Sequence, residues 1–106
     1  MKTKGTYVER KVKKAFEDHG WLVVRATGSF GIADLVCVKD NKVIFVEVKS
    51  TSGGTIYYKG YMLPKIESWP FYVVADFGYG KMRVLKPKKV IKPDDGVDLY
   101  EFLRKA

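Results

Sequence analysis

The stretch Val43-Ile44-Phe45-Val46-Glu47-Val48-Lys49 decides how this chain is read. It is apolar except for two charges at its C-terminal end. Strand side chains alternate, so Val43, Phe45, Glu47 and Lys49 share one face and Ile44, Val46 and Val48 the other. Both faces begin apolar, which predicts a central strand covered on both sides. Burying an ion in such a strand is costly unless a partner compensates it. The charged end of the face that carries Phe45 is therefore where a cation or a phosphate can meet the sheet.

Working outward, Lys39-Asp40-Asn41-Lys42 has the composition of a hairpin turn, and Ala33 to Val38 reads as the strand before it. Asp34 then stands near the start of one strand and Glu47 near the end of its antiparallel neighbour. Two carboxylates aimed into one space repel unless a cation lies between them. Oxygen donors suit Mg²⁺, with Mn²⁺ as a substitute. One Cys and one His in the whole chain leave no zinc cluster. The carbonyl of Val48, between the two charged residues, can join the coordination shell. A metal held there would polarise a phosphoryl oxygen and acidify a bound water. Lys49 lies about 7 Å along the strand from Glu47, at ~3.4 Å per residue, within reach of a water or phosphate beside the metal. Whether it accepts a proton from that water or only holds charge in place is open at this level. An E-x-K triplet alone is more common as an incidental ion pair. Its weight comes from the combination with Asp34, the Gly-rich loop before it, the hairpin and the basic chain.

The rest of the chain orders itself around this hairpin. Thr6 to His19 reads as a helix with Val8, Val12, Ala15 and Phe16 on one stripe. Thr6 and Glu9 have capping-box spacing, and Gly20 is a stop. His19, at the helix end, is expected to act as a C-terminal charge partner. Trp21 to Ala26 predicts a strand and Thr27 to Gly31 a loop. Ile56 to Trp69 predicts a short or broken helix, interrupted by Gly60 and Pro64. Its aromatics Tyr57, Tyr58, Tyr61 and Trp69 are expected in the core or at a dimer surface. Phe71 to Phe77 and Lys81 to Leu85 predict strands around Gly78-Tyr79-Gly80. Pro87 to Gly96 reads as a polar connection and Asp98 to Lys105 as a final short helix. Helix, strands, helix, strands imply an α/β or α+β domain built on one mixed sheet, read as α/β.

The chain has 106 residues, enough for one domain spanning 1–106. So small a core makes dimerisation a natural source of further stability. Net charge is +8, from 20 Lys+Arg against 12 Asp+Glu, which favours a polyanionic partner. The charges cluster at Lys2 and Lys4, at Arg10, Lys11, Lys13 and Lys14, and at Lys86, Lys88, Lys89 and Lys92. No apolar run approaches the roughly 20 residues that span a bilayer, and the N-terminus has no apolar signal segment. Cys37 lies among Leu35, Val36 and Val38 and is expected to be buried and reduced, which fits an intracellular location.

Four segments together resemble the PD-(D/E)xK nuclease superfamily, and within it the archaeal-type Holliday junction resolvases. They are Lys4-Gly5-Thr6-Tyr7-Val8-Glu9-Arg10, Val24-Arg25-Ala26-Thr27-Gly28-Ser29, Ala33-Asp34-Leu35-Val36 and Val46-Glu47-Val48-Lys49-Ser50. They run from Lys4 to about Tyr58, roughly half of the chain. The resemblance implies a single restriction-endonuclease-like domain, a central mixed sheet flanked by helices. It implies that Glu9 completes a metal site made by Asp34 and Glu47, and that Lys49 is the catalytic lysine. It implies that Ser29 lies in a loop near the scissile phosphate, and that Arg10 and Arg25 hold the backbone, beside Lys2 and Lys4. It further implies a homodimer that cuts two opposed strands of a four-way junction with Mg²⁺. Two departures stand out: Ala33 replaces the usual proline before the aspartate, and the segment after Lys49 is short where relatives have a longer helix. Other readings of the same residues are a nuclease for flap or other branched DNA, and a basic DNA-binding module without chemistry.

Overall fold

The computed structural model describes residues 4–25, 33–58 and 70–106, with side chains in the first stretch from Tyr7 onward. The chain runs α1 (Lys4–Asp18), β1 (Leu22–Arg25), β2 (Leu35–Lys39), β3 (Lys42–Ser50), β4 (Ile56–Tyr57), β5 (Phe71–Asp76), β6 (Met82–Leu85), β7 (Val90–Ile91), β8 (Val97–Asp98) and α2 (Leu99–Lys105). The hairpin forms as its turn residues demand. Lys39 pairs with Lys42, and Asp40 takes φ 55°, a conformation that aspartate tolerates better than most residues. Six strands make one mixed sheet in the order β1-β2-β3-β5-β6-β8. β3 pairs antiparallel with β2 and parallel with β5, so it is central, as the apolar run predicts.

The two faces of the sheet are covered differently. Ile44 and Val46 of β3 join Leu35, Cys37, Val74 and Val84 beneath α1 and α2, which supply Val8, Val12, Ala15, Phe16, Leu99 and Leu103. Phe16 meets Trp21 edge-on, with ring centroids 5.7 Å apart. The other face carries a second cluster of Ile56, Tyr58, Val73, Ala75, Phe77, Leu85 and Ile91, beneath the two-stranded sheet of β4 and β7. Cys37 is buried and free, and burial pushes its thiol up to about 12.

Three expectations change. α1 already includes Lys4, so Thr6 lies inside the helix and the Thr6–Glu9 capping box does not mark its start. Ile56–Tyr57 is a strand where a helix was expected, because Ile56 pairs with Ile91 and Tyr57 with Val90. The polar connection after Pro87 contains that partner strand, with Ile91 fully buried. Tyr57 is 74% exposed while Tyr58 is buried, the period of a strand. Tyr61, Trp69 and the rest of 59–69 lie outside the described residues. At the far end Asp98 caps α2, accepting from the N–H groups of Tyr100 and Glu101 at 3.0 and 3.2 Å. His19 Nδ1–H donates to the carbonyl of Ala15 at 2.9 Å, closing the last turn of α1 as a hydrogen-bond donor.

Gly96 offers a direct check of this packing. It sits at φ +67°, and a Cβ there would lie 2.2 Å from the carbonyl oxygen of Val84. Gly96→Ala is expected to cost about 2 kcal/mol or more, lowering Tm by roughly 8 °C or more. A thermal melt that moves by less than 2 °C, about the experimental spread, would contradict the close approach of β8 to β6.

Candidate nuclease site

Where β2 begins, its ladder with β3 is still in register. Leu35 stands opposite Val46, and the N–H of Asp34 donates to the Val46 carbonyl at 2.9 Å. One residue further, Asp34 faces Glu47, and paired residues share a face. Beyond this point β2 can no longer supply an acceptor to β3. The side chain of Asp34 does so instead: its Oδ2 accepts from the N–H of Val48 at 2.8 Å. A strand residue directs its N–H and C=O to the same edge, so the Val48 carbonyl leaves β3 beside the Asp34 carboxylate. Asp34, Glu47 and Val48 thus offer oxygen atoms to one corner of the sheet.

Glu47 is mostly buried there, with Lys49 Nζ 3.3 Å from its Oε2. Its carboxyl is pushed up to about 7, first by desolvation and then by the charge of Asp34. Lys49 pulls the other way, and Glu9 adds a smaller upward push. Lys49 Nζ also lies 5.7 Å from the centroid of the Tyr58 ring. The Tyr58 hydroxyl is itself raised to about 12, by burial and by the charges of Glu47 and Asp34. Lys49 is therefore held on one side by a carboxylate and on the other by an aromatic face.

α1 packs on the Ile44–Val46 face of the sheet and is joined to it by two ion pairs. In one, Glu9 Oε1 meets Arg25 Nη2 at 3.2 Å. In the other, Lys11 Nζ meets Asp76 Oδ2 at 3.5 Å. Asp76 is 3% exposed, and its second oxygen accepts from the N–H of Gly78 at 2.8 Å. Outside Glu9, a shallow cavity of about 440 Å³ is lined by Arg10, Lys13, Lys14, Glu17 and Arg25.

The expected residues are thus distributed as follows. Asp34, Glu47, Val48 and Lys49 come together. Glu9 is near enough for its charge to act on Glu47, but its carboxylate is taken by Arg25. Among the described residues, no three His, Cys, Asp or Glu side chains converge closely enough to hold a metal ion. Arg10 and Arg25 line the basic cavity together. Ser29 and Lys2 lie outside the described residues; Lys4 begins α1, and its side chain also lies outside them. Sequence reasoning missed two participants. Tyr58 was masked by an expected helix. Asp76 carried a readable signal, a lone carboxylate in the apolar run Phe71 to Phe77.

Comparison with known proteins bears on the family and the fold. The family model described as archaeal Holliday junction resolvase (Hjc) matches residues 1–106. The match therefore extends well beyond the half of the chain that carries the sequence resemblance. Among solved structures, the chain resembles Archaeoglobus fulgidus Hjc, a Holliday junction resolvase from an archaeal hyperthermophile. The two are 18% identical, with a TM-score of 0.79 over 96% of this chain and 97% of the other. That likeness extends the observed sheet and helices to a solved fold. Among the described residues no helix is long and apolar enough to cross a membrane.

The raised Glu47 carboxyl has a measurable consequence. An acid whose folded pKa lies above its unfolded value favours the folded state when protonated. Stability from this group is full below about 4.5 and is lost as pH rises to about 7. In metal-free protein, Glu47→Gln is expected to stabilise the fold at pH 8, on the order of 2 kcal/mol. The gain should shrink towards pH 5, read as the difference in Tm across that range. A variant less stable than the parent at pH 8 would contradict the buried, repelled state of Glu47.

Proposed function

The chain belongs to the archaeal Holliday junction resolvase family, and from that premise we propose that Asp34, Glu47 and the Val48 carbonyl hold Mg²⁺ beside Lys49 to hydrolyse two opposed strands of a four-way DNA junction. As a Holliday junction resolvase it is a nuclease of branched DNA, and resolvases of this family are in general metal-dependent. The single observation that carries the assignment is the 2.8 Å bond from Val48 N–H to Asp34, which fixes Asp34 opposite Glu47 and next to Lys49.

The donor set fits a hard divalent cation. All its donors are oxygens, and the repulsion between Asp34 and Glu47 is what a cation relieves. When bound, the cation would supply Lewis acidity at a phosphoryl oxygen and an acidified water. The chain's own residues do the rest. Asp34 and Glu47 orient the site from two adjoining strands. Lys49, held between Glu47 and Tyr58, places its ammonium where charge grows on the phosphate. Arg10 and Arg25, with Lys2 and Lys4, hold the backbone on either side without reading sequence. Ser29 takes its place beside the scissile phosphate on the resemblance alone.

Paired cutting needs two such sites, which supports a homodimer. The outer face of β1–β3 supports it as well: Leu22 and Val24 are 67% and 53% exposed, beside exposed Val43 and half-buried Val36 and Phe45. A second copy of this chain would bury this apolar stretch.

Cleavage of a four-way junction, a flap and a linear duplex, each with and without Mg²⁺, tests the reading. The expected result is paired symmetric cuts in the junction, abolished by chelation. Glu47→Gln and Asp34→Asn should each slow cleavage by about 100-fold or more while junction binding in Mg²⁺-free buffer survives. Cutting by Glu47→Gln at the parent rate would remove the proposed metal corner. Equal cutting of all three substrates would remove junction selectivity.

A further inference from the structure

Arg25 belongs to two places at once. Its Nη2 holds Glu9 at 3.2 Å, and the same side chain lines the basic cavity with Arg10, Lys13 and Lys14. Glu9 is bonded to a residue that lines that cavity. Its charge acts on Glu47, yet it does not form a three-carboxylate group with Asp34 and Glu47. The other cations of the cavity are less strongly committed to the corner of the sheet. Lys13 pairs with Glu17 at 2.7 Å and Lys14 with Asp18 at 3.5 Å, both along the outer face of α1. α1 is held to the sheet as well by its buried stripe of Val8, Val12, Ala15 and Phe16 and by the Lys11–Asp76 pair, so the Glu9–Arg25 bond is one of several ties.

We propose that Arg25 is an exchange partner that couples the DNA groove to the metal corner: a backbone phosphate entering the Arg10–Lys13–Lys14–Arg25 cavity draws Arg25 off Glu9, and the freed Glu9 becomes the third carboxylate donor beside Asp34 and Glu47. This rests on the metal-site reading above and adds an order of assembly to it. Without DNA, Glu9 is occupied and the corner has two carboxylates. With a backbone phosphate in the cavity, Arg25 gains a monoanionic partner whose two non-bridging oxygens allow bidentate geometry, where Glu9 offers it one oxygen. Binding of metal and of DNA then strengthen one another, and the coupling must be reciprocal. Because one partly exposed ion pair is exchanged, the effect on each affinity is a matter of roughly threefold to fivefold.

A double-mutant cycle decides it. Mn²⁺ is titrated into DNA-free protein, and the free ion is followed by its electron paramagnetic resonance signal. The parent, Arg25→Gln, Glu9→Gln and the double variant are compared, with Arg10→Gln as a control that removes one nearby charge without touching Glu9. The expected result is that Arg25→Gln tightens Mn²⁺ binding roughly threefold to fivefold, more than Arg10→Gln does, and that this gain disappears in the Glu9→Gln background. In the reciprocal arm, junction DNA is titrated without metal. There Glu9→Gln should tighten binding by a similar factor, and not when Arg25 is already Gln. Equal gains from Arg25→Gln and Arg10→Gln, or the same Arg25→Gln gain with and without Glu9, would overturn the exchange and leave only general electrostatics. Loss of Mn²⁺ binding in none of the variants, with Glu47→Gln also binding normally, would instead overturn the metal corner itself.

Discussion

The arrangement hangs on one hydrogen bond at the place where a ladder runs out. β2 starts two residues too late to pair with Val48, and the Asp34 carboxylate accepts that N–H in its place. A backbone donor left without a partner inside the sheet would be costly. The bond therefore does structural and chemical service together. It satisfies β3, and it fixes one carboxylate across from another. The parallel pairing of β3 with β5 closes the opposite edge, setting Glu47 beside Val73 and Lys49 beside Ala75. The charged end of β3 is thus enclosed by apolar neighbours on one edge and by a carboxylate on the other.

The electrostatics follow from that enclosure. A chain with an excess of eight positive charges keeps its negative charges where they are compensated. Asp34 leans on a backbone amide, Glu47 on Lys49, Glu9 on Arg25 and Asp76 on Lys11. Asp34 and Glu47, by contrast, set like charges against each other. That local conflict is the kind of tension found where a protein is built to bind something. Elsewhere, the exposed pairs along α1 add little to stability and leave the outer face of the helix basic.

How much of this was legible in the sequence depended on how local the cause was. The β2–β3 hairpin could be read because alternation, a turn of Asp40-Asn41 and the E-x-K triplet all lie within sixteen residues, 34–49. α2 could be read from Asp98 and the apolar positions after it. β4 and β7 could not, because each has two residues and exists only through pairing across more than thirty positions. Neither offers a period to detect. Tyr58 followed the same course, since its place over Lys49 depends on β4 being a strand. The start of α1 was misplaced because a Thr6–Glu9 spacing suits a cap equally well when helix continues on both sides of it. Ion pairs such as Lys11–Asp76 were out of reach for a simpler reason: partner choice among twenty basic residues is fixed by the packing of α1 on the sheet and not by any local pattern.

Cys37 sits on β2, three residues from Asp34, with no exposed surface and a thiol pushed up to about 12. In the folded protein it offers almost no thiolate to an alkylating or disulfide reagent. It becomes reactive only when β2 parts from the layers above it. The chain thus contains its own chemical clock: the rate at which this one thiol is modified measures how often the strand next to Asp34 opens, with no label added and no other thiol to confuse the reading.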